Sequence, residues 1–206
     1  MTMNSEKKEL FCKLLTETNR DGIKNLISCL ESNGFFDSPC STKYHLCTEG
    51  GLLEHSLNVY DVLFQLNETM KAGIPVESIV LCALLHDIGK AGDHGKKNYV
   101  PKYVRSKSKN KETGEYDMVR SVAEPFESNK DLMYEEHEIR SVIIAERFIY
   151  LSEDEETAIL HHNGMFGKLD SKFGSGDPNF CKTKLAFLLH TADMYCSRFV
   201  EVDPVE

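Results

Sequence analysis

An adjacent imidazole and carboxylate, His86-Asp87, close the apolar run Ala83-Leu84-Leu85, and Gly89-Lys90 follow after Ile88, one turn later. A charged Asp87 in such surroundings is costly to bury alone. A divalent cation resolves that conflict, because His and Asp are both good ligands. A helix C-terminus that merely happens to carry His and Asp explains the dipeptide on its own equally well. The remaining chemistry-bearing residues shift the balance. His55, His137, His161, His162, His190 and Asp193 also fall inside apolar helical patterns. A lone helical His is more often a hydrogen-bonded structural residue than a ligand. When five separate helices each present such a group, the shared explanation is a metal site at the centre of a bundle, with ligands from facing helices.

The elements that must position these groups are legible as helical periodicity. Leu10, Phe11, Leu14 and Leu15 mark a helix over about Ser5 to Thr18, and Ile23, Leu26, Ile27 and Leu30 mark one over about Gly22 to Ser32. Phe35 to Gly51 reads as loop. Gly51 to Asn67 is strongly periodic and carries His55. Pro75 suits a helix start, and Val76 to Asp87 is apolar almost all round, the mark of a central helix. Helices are expected again at about Tyr134 to Tyr150, after the capping box Ser152-x-x-Glu155, and over about Lys182 to Val200. Asn163 to Asn179 reads as a Gly-rich loop, and the acidic tail Glu201 to Glu206 as loose.

Between them, Asn98 to Arg105 and Glu115 to Val122 alternate weakly around a polar turn, which predicts a β-hairpin or flap. A solvated loop with no role is the plainer alternative. The net charge of −9 gives no reason to expect a long nucleic acid partner. Yet eight Lys or Arg and a single acid lie between Lys90 and Lys111. A local basic segment on an acidic chain suits a small anionic ligand.

Hydrophobic residues make up 41% and charged residues 28%, the balance of a globular chain. No apolar run nears the roughly 20 residues that span a bilayer, and the first residues lack a signal-peptide core. The expectation is a cytoplasmic protein without a membrane partner. Seven cysteines, an odd number with no Cys-x-x-Cys pair, argue against a disulfide framework or a zinc knuckle.

Leu52-Leu53-Glu54-His55-Ser56, then Leu84-Leu85-His86-Asp87-Ile88-Gly89-Lys90, then Asp193 in Ala-Asp-Met, resemble the H…HD…D signature of the HD-domain metal-dependent phosphohydrolases. The resemblance covers about residues 50 to 198. It implies an all-α fold: one HD-type helical bundle over residues 1–206, with a metal-binding core at about 50–198 and the hairpin or flap inserted at about 98–122. It implies His55, His86, Asp87 and Asp193 around one divalent ion. Some members add two histidines and a second ion. His137 matches the first of these, and His161 or His162 the second. Spacing from Ala158-Ile159 and to Gly164 favours His162, and His161 stays open. Asp87 would then bridge two ions.

Imidazoles and carboxylates suit Mn, Fe, Co, Ni or Zn better than Mg or Ca. Such an ion acidifies water and polarises a phosphoryl oxygen, and no Ser, Cys or Lys nucleophile with a paired base is evident. The expected reaction is hydrolysis of a phosphate ester or anhydride of a nucleotide-like small substrate by metal-activated water. Lys90 and Arg140 are candidates to neutralise the phosphate, Arg140 with a salt bridge as its alternative. His94, Lys96, Lys97 and Lys102 could add charge from the flap, and Tyr99 and Tyr103 could stack on a base. One departure stands out. The family's monophosphate nucleotidases typically carry an acid three residues after the Asp of HD, where this chain has Lys90, so their mechanism does not simply transfer. A cyclic-nucleotide or oligonucleotide phosphodiesterase, a di-iron oxygenase and a non-catalytic binding module are the competing readings. A homo-oligomer is left open.

Overall fold

The computed structural model describes residues 3–169 and 178–202. Lys172, Phe173 and Asp177 of the expected Gly-rich loop, and the tail beyond Val202, lie outside the described residues. The described residues form α1 (Met3–Glu17), α2 (Ile23–Ser32), α3 (Gly51–Met70), α4 (Val76–Leu85), α5 (His137–Glu146), α6 (Glu153–His161) and α7 (Lys184–Tyr195). Six short strands lie between α4 and α5. The protein is therefore helical, with only small antiparallel sheets.

α4 is the centre. Seven consecutive residues, Ile79 to Leu85, are buried, each worth roughly 1.5–3 kcal/mol if it is a large aliphatic. α3 lies against α4 and α7, and α6 against α4, α5 and α7. The start of α3 depends on a close approach: a Cβ on Gly51 would sit 2.1 Å from the Leu46 carbonyl oxygen. α6 opens on the capping box, with the Ser152 hydroxyl accepting from the Glu155 N–H and the Glu155 carboxylate accepting from the Ser152 N–H. Thr183 caps α7 by accepting from the Ala186 N–H.

Several boundaries differ from those the periodicity predicts. α5 begins at His137, not near Tyr134, and ends at Glu146. The expected single helix to Val200 is α7 followed by a π-helical turn over Cys196–Val200. The insertion is larger than one hairpin. β1 (Gly92–Asp93) pairs with β2 (Lys96–Lys97) across His94 and Gly95, both at positive φ, the backbone twist that favours a two-residue hairpin loop. β3 (Tyr99–Pro101) pairs with β6 (Phe126–Ser128), and β4 (Tyr103–Lys109) with β5 (Tyr116–Arg120), all antiparallel.

Candidate metal centre

His86 follows the last turn of α4, and its Nδ1 lies 2.9 Å from the Ala83 carbonyl oxygen. That oxygen can only accept, so Nδ1 carries the proton and Nε2 presents its lone pair inward. His162, just past α6, repeats the arrangement with Nδ1 2.7 Å from the Ile159 oxygen. A backbone carbonyl three residues back thus fixes the tautomer of both rings. His55, on α3, has Nδ1 3.0 Å from each carboxylate oxygen of Glu201.

Four inward nitrogens, with His137 Nε2 as the fourth, and the Asp87 carboxylate then meet. Asp87 Oδ2 lies 3.4 Å from the Nε2 atoms of both His55 and His86. Asp87 Oδ1 lies 3.2 Å from His137 Nε2 and 3.4 Å from His162 Nε2. Asp193 Oδ1 lies 3.2 Å from His55 Nε2. His55 and His86 Nε2 are 3.2 Å apart. His55, His86, Asp87 and His162 are fully buried.

The donor set fits a divalent ion. Among the described residues Asp87 Oδ1 and His162 Nε2 are buried without a hydrogen-bond partner, an expensive arrangement unless something else satisfies them. The groups divide naturally: His55, His86, Asp87 Oδ2 and Asp193 could hold one ion, and Asp87 Oδ1, His137 and His162 a second. The charge of the carboxylates runs the same way. Burial alone would raise the Asp87 carboxyl, but Lys90 and His86 hold it well below the usual range. Burial would also raise Asp193, and His55 holds it down. Burial lowers the pKa of His86, and burial with Lys90 nearby lowers that of His137 further; against burial, Cys40 and the neighbouring carboxylates raise His55, and the Asp87 carboxylate raises His162.

Two features bring α5 to this point. A Cβ on Gly89 would sit 2.2 Å from the His137 carbonyl oxygen, so only glycine lets α5 approach the turn after Asp87. The Gly89 N–H also donates to Ser141 Oγ at 2.9 Å. His190 Nδ1 lies 2.7 Å from the His162 carbonyl oxygen and so braces the turn that carries His162. His161 points elsewhere, its Nε2 3.2 Å from the Asn179 amide.

A cavity of about 770 Å³ adjoins the centre, lined by Cys40, Ser41, Thr42, Tyr44, His45, Lys90, Tyr99, His137, Ser197, Arg198, Glu201 and Val202. Lys90 Nζ is 2.5 Å from Asp87 Oδ2. The other cationic candidates sit differently. Arg140 is buried, and its guanidinium donates to the Gly89 oxygen at 3.1 Å, Asn98 Oδ1 at 3.1 Å and the Met133 oxygen at 2.9 Å. It fastens the turn after Asp87 to the flap and to the entry of α5, in place of the expected phosphate contact or salt bridge. Lys96 donates to the Asp131 oxygen at 2.8 Å, Lys102 pairs with Glu124, and His94 lies 3.5 Å from Asp93. With Lys97, on exposed β2, none of these flap residues lines the cavity. Tyr103 is exposed, whereas Tyr99 is half-buried in the cavity wall.

Sequence reasoning missed Glu201 and Arg198. Glu201 falls in what reads as a loose acidic tail, yet its carboxylate is buried against His55. Nothing local in the sequence signals this; only the distance from Asp193 along an extended α7 could have raised it.

Four imidazoles and two carboxylates converging between packed helices define a helical protein built around a candidate metal centre. The particular family follows from the chain itself. The HD domain model matches residues 52–196, well over half the sequence, and the chain belongs to the HD domain family, a superfamily of metal-dependent hydrolases. No curated protein and no solved structure matches it.

Proposed function

We propose that this chain is a metal-dependent phosphohydrolase that cleaves a phosphate ester or anhydride of a small nucleotide-like substrate. The observation that carries the reading is the division of Asp87: each oxygen faces its own pair of imidazoles. A bound divalent ion would supply Lewis acidity toward a phosphoryl oxygen and toward water. The chain's own groups do the rest. His55, His86, His137, His162, Asp87 and Asp193 fix the centre. Lys90 brings a cation to the cavity wall beside it, and Arg198 a second at the rim.

The cavity volume lies in the range of small-molecule sites, roughly 300–1,000 Å³. That favours a mononucleotide-sized substrate over a long polymer. Tyr44 and Tyr99 offer aromatic surface to a base, and Ser41 and Thr42 offer hydroxyls. All seven cysteines are free thiols, which supports a reducing, cytoplasmic setting. Among the described residues no helix is long and apolar enough to cross a membrane.

The test is a hydrolysis panel. Nucleoside mono- and triphosphates, cyclic nucleotides and a short oligonucleotide are incubated with Mn, Co, Ni, Fe or Mg, and products are resolved by chromatography. Metal-dependent turnover of one class is expected. Asp87→Ala should abolish it, by 10³-fold or more, with helicity retained. Turnover unchanged in that variant, or absent from every pairing, sinks the reading.

A further inference from the structure

The ring of His55 is held from both sides. Its Nε2 faces Asp193, and its Nδ1 lies 3.0 Å from both oxygens of Glu201. Both carboxylates come from one continuous element. Asp193 sits on α7, and Glu201 follows the π-helical turn Cys196–Val200, whose wider winding is closed by the Glu201 N–H donating to the Cys196 oxygen at 3.0 Å. Such turns recur at functional sites. The Glu201 side chain is 1% exposed. It also accepts from Asn58 Nδ2 at 2.9 Å, from the next turn of α3, and meets His45 Nδ1 at 2.5 Å.

We infer that Glu201 is a positioning residue for the candidate metal centre: it accepts the Nδ1 proton of His55 and so fixes the ring and tautomer that present Nε2 to an ion. A buried carboxylate with three donors around it is over-determined in place. When an ion takes Nε2, any proton there leaves to solvent, and the Nδ1 proton remains on the bond to Glu201. A hydrogen-bonded carboxylate also makes the imidazole a stronger donor to the ion. His86 and His162 rely on neutral backbone carbonyls for the same task, so among these three rings His55 alone has a charged support. His45, in the wall of the cavity, ties the same carboxylate to the loop that precedes α3.

The inference rests on the reading of this cluster as a metal centre, but its test does not need hydrolysis. Affinities for Mn²⁺ and Co²⁺ are measured by competition with a chelator on wild type, Glu201→Gln and Glu201→Ala, beside circular dichroism and thermal melts in chelator alone. Weakening of one ion by about 10–100-fold is expected in Glu201→Ala. A smaller loss is expected in Glu201→Gln, which keeps an acceptor of the same shape, and the second ion should be little changed. Should Glu201→Ala fail to fold, the Gln variant still decides. Equal affinities in wild type and Glu201→Gln, with only the metal-free melt lowered, would make Glu201 a structural residue and overturn the inference while leaving the proposed hydrolase standing. A wild type that binds neither ion overturns both. Ion binding that depends on Glu201 in a protein with no phosphohydrolase activity removes the proposed function alone.

Discussion

The centre around Asp87 and the excursion between α4 and α5 are neighbours in sequence and opposites in construction. In the first, His55, His86, Asp87 and His162 have no exposed surface, and each of the three rings among them is braced at Nδ1 by a carbonyl or a carboxylate. In the second, three small antiparallel pairs stand largely in solvent. Lys96 and Lys102 there are engaged by local oxygens. The centre holds few charges, with Asp87 fully covered and Asp193 and Lys90 largely so. The excursion is rich in charge and leaves it screened. Counting basic residues along a chain therefore says little about where an anionic ligand binds; burial and convergence say more.

Apart from loss of a ligand itself, the largest expected effect breaks the first region at its tightest contact. In Gly89→Ala the new methyl meets the His137 carbonyl oxygen, with the Arg140 Cβ and the Ser141 nitrogen each 3.0 Å away. Backbone cannot yield cheaply, so α5 must retreat and take His137 from Asp87. Overpacking of this kind costs about 1–3 kcal/mol of stability. A displacement near 1 Å at a catalytic centre costs about 100-fold in rate. Steady-state kinetics on the folded variant should show the fall in kcat, and metal analysis should show the ion on the His137 side lost first. Wild-type kcat in Gly89→Ala would mean that the approach of α5 does not set the chemistry.

The next effect asks whether burial or the metal centre makes the core rigid. Arg20 joins the end of α1 to α6: its guanidinium lies 3.1 Å from Glu155 Oε1, and it also meets Glu77 and the Tyr150 carbonyl oxygen. Glu155 is 2% exposed at its side chain and also accepts from Ser78. Arg20→Ala leaves a buried carboxylate with its hydroxyl and backbone donors alone, so a loss of about 3 kcal/mol is expected in denaturant melts at pH 7. Although burial raises the Glu155 pKa, Arg20 and the Ser152 N–H bring it below its ordinary value. A depressed folded pKa gives stability that is present above the unfolded value, roughly 4.3, and lost as pH falls through the folded one. The gap between wild type and Arg20→Ala should therefore narrow in acid. A gap that widens in acid would assign the effect to packing of the Arg20 stem.

The same contrast explains what could be read from the chain. The cluster was legible because polar residues inside apolar periodicity are anomalies, and all of them but His161 and His190 converge on it. His162 over His161 follows from the helix period, since Ala158 and Ile159 are buried and lie four and three positions back. The fate of Arg140 was not legible. Its spacing from His137 puts both on one side of α5, but the acceptors it meets, Gly89, Asn98 and Met133, come from turns whose path no periodicity encodes. Glu201 was hidden for a similar reason: a π-helical turn shifts the phase of α7 just before it, and an acidic tail gives no reason to single out one acid. The flap was legible as strand pairs but not as a ligand surface, because pattern gives pairing and says nothing of which lysine faces a cavity.

The smallest expected effect tests the excursion directly against the cavity rim. Lys96→Ala, Lys97→Ala and Lys102→Ala combined remove three cations from a chain of net charge −9, yet none of them lines the space beside Asp87. Surface ion pairs contribute about 0–1 kcal/mol each, so thermal stability should move little. For a small substrate kcat/KM should change by less than about twofold, because screening over roughly 8–10 Å mutes distant charge. Arg198→Ala removes only one cation, but from the cavity wall. It should raise KM by about tenfold with kcat nearly kept, the loss of one charge-assisted contact of about 1.4 kcal/mol. Reversal of that order, with the triple variant the more damaging, would return the flap to the substrate and place the ligand across the strands in preference to the cavity between Lys90 and Arg198.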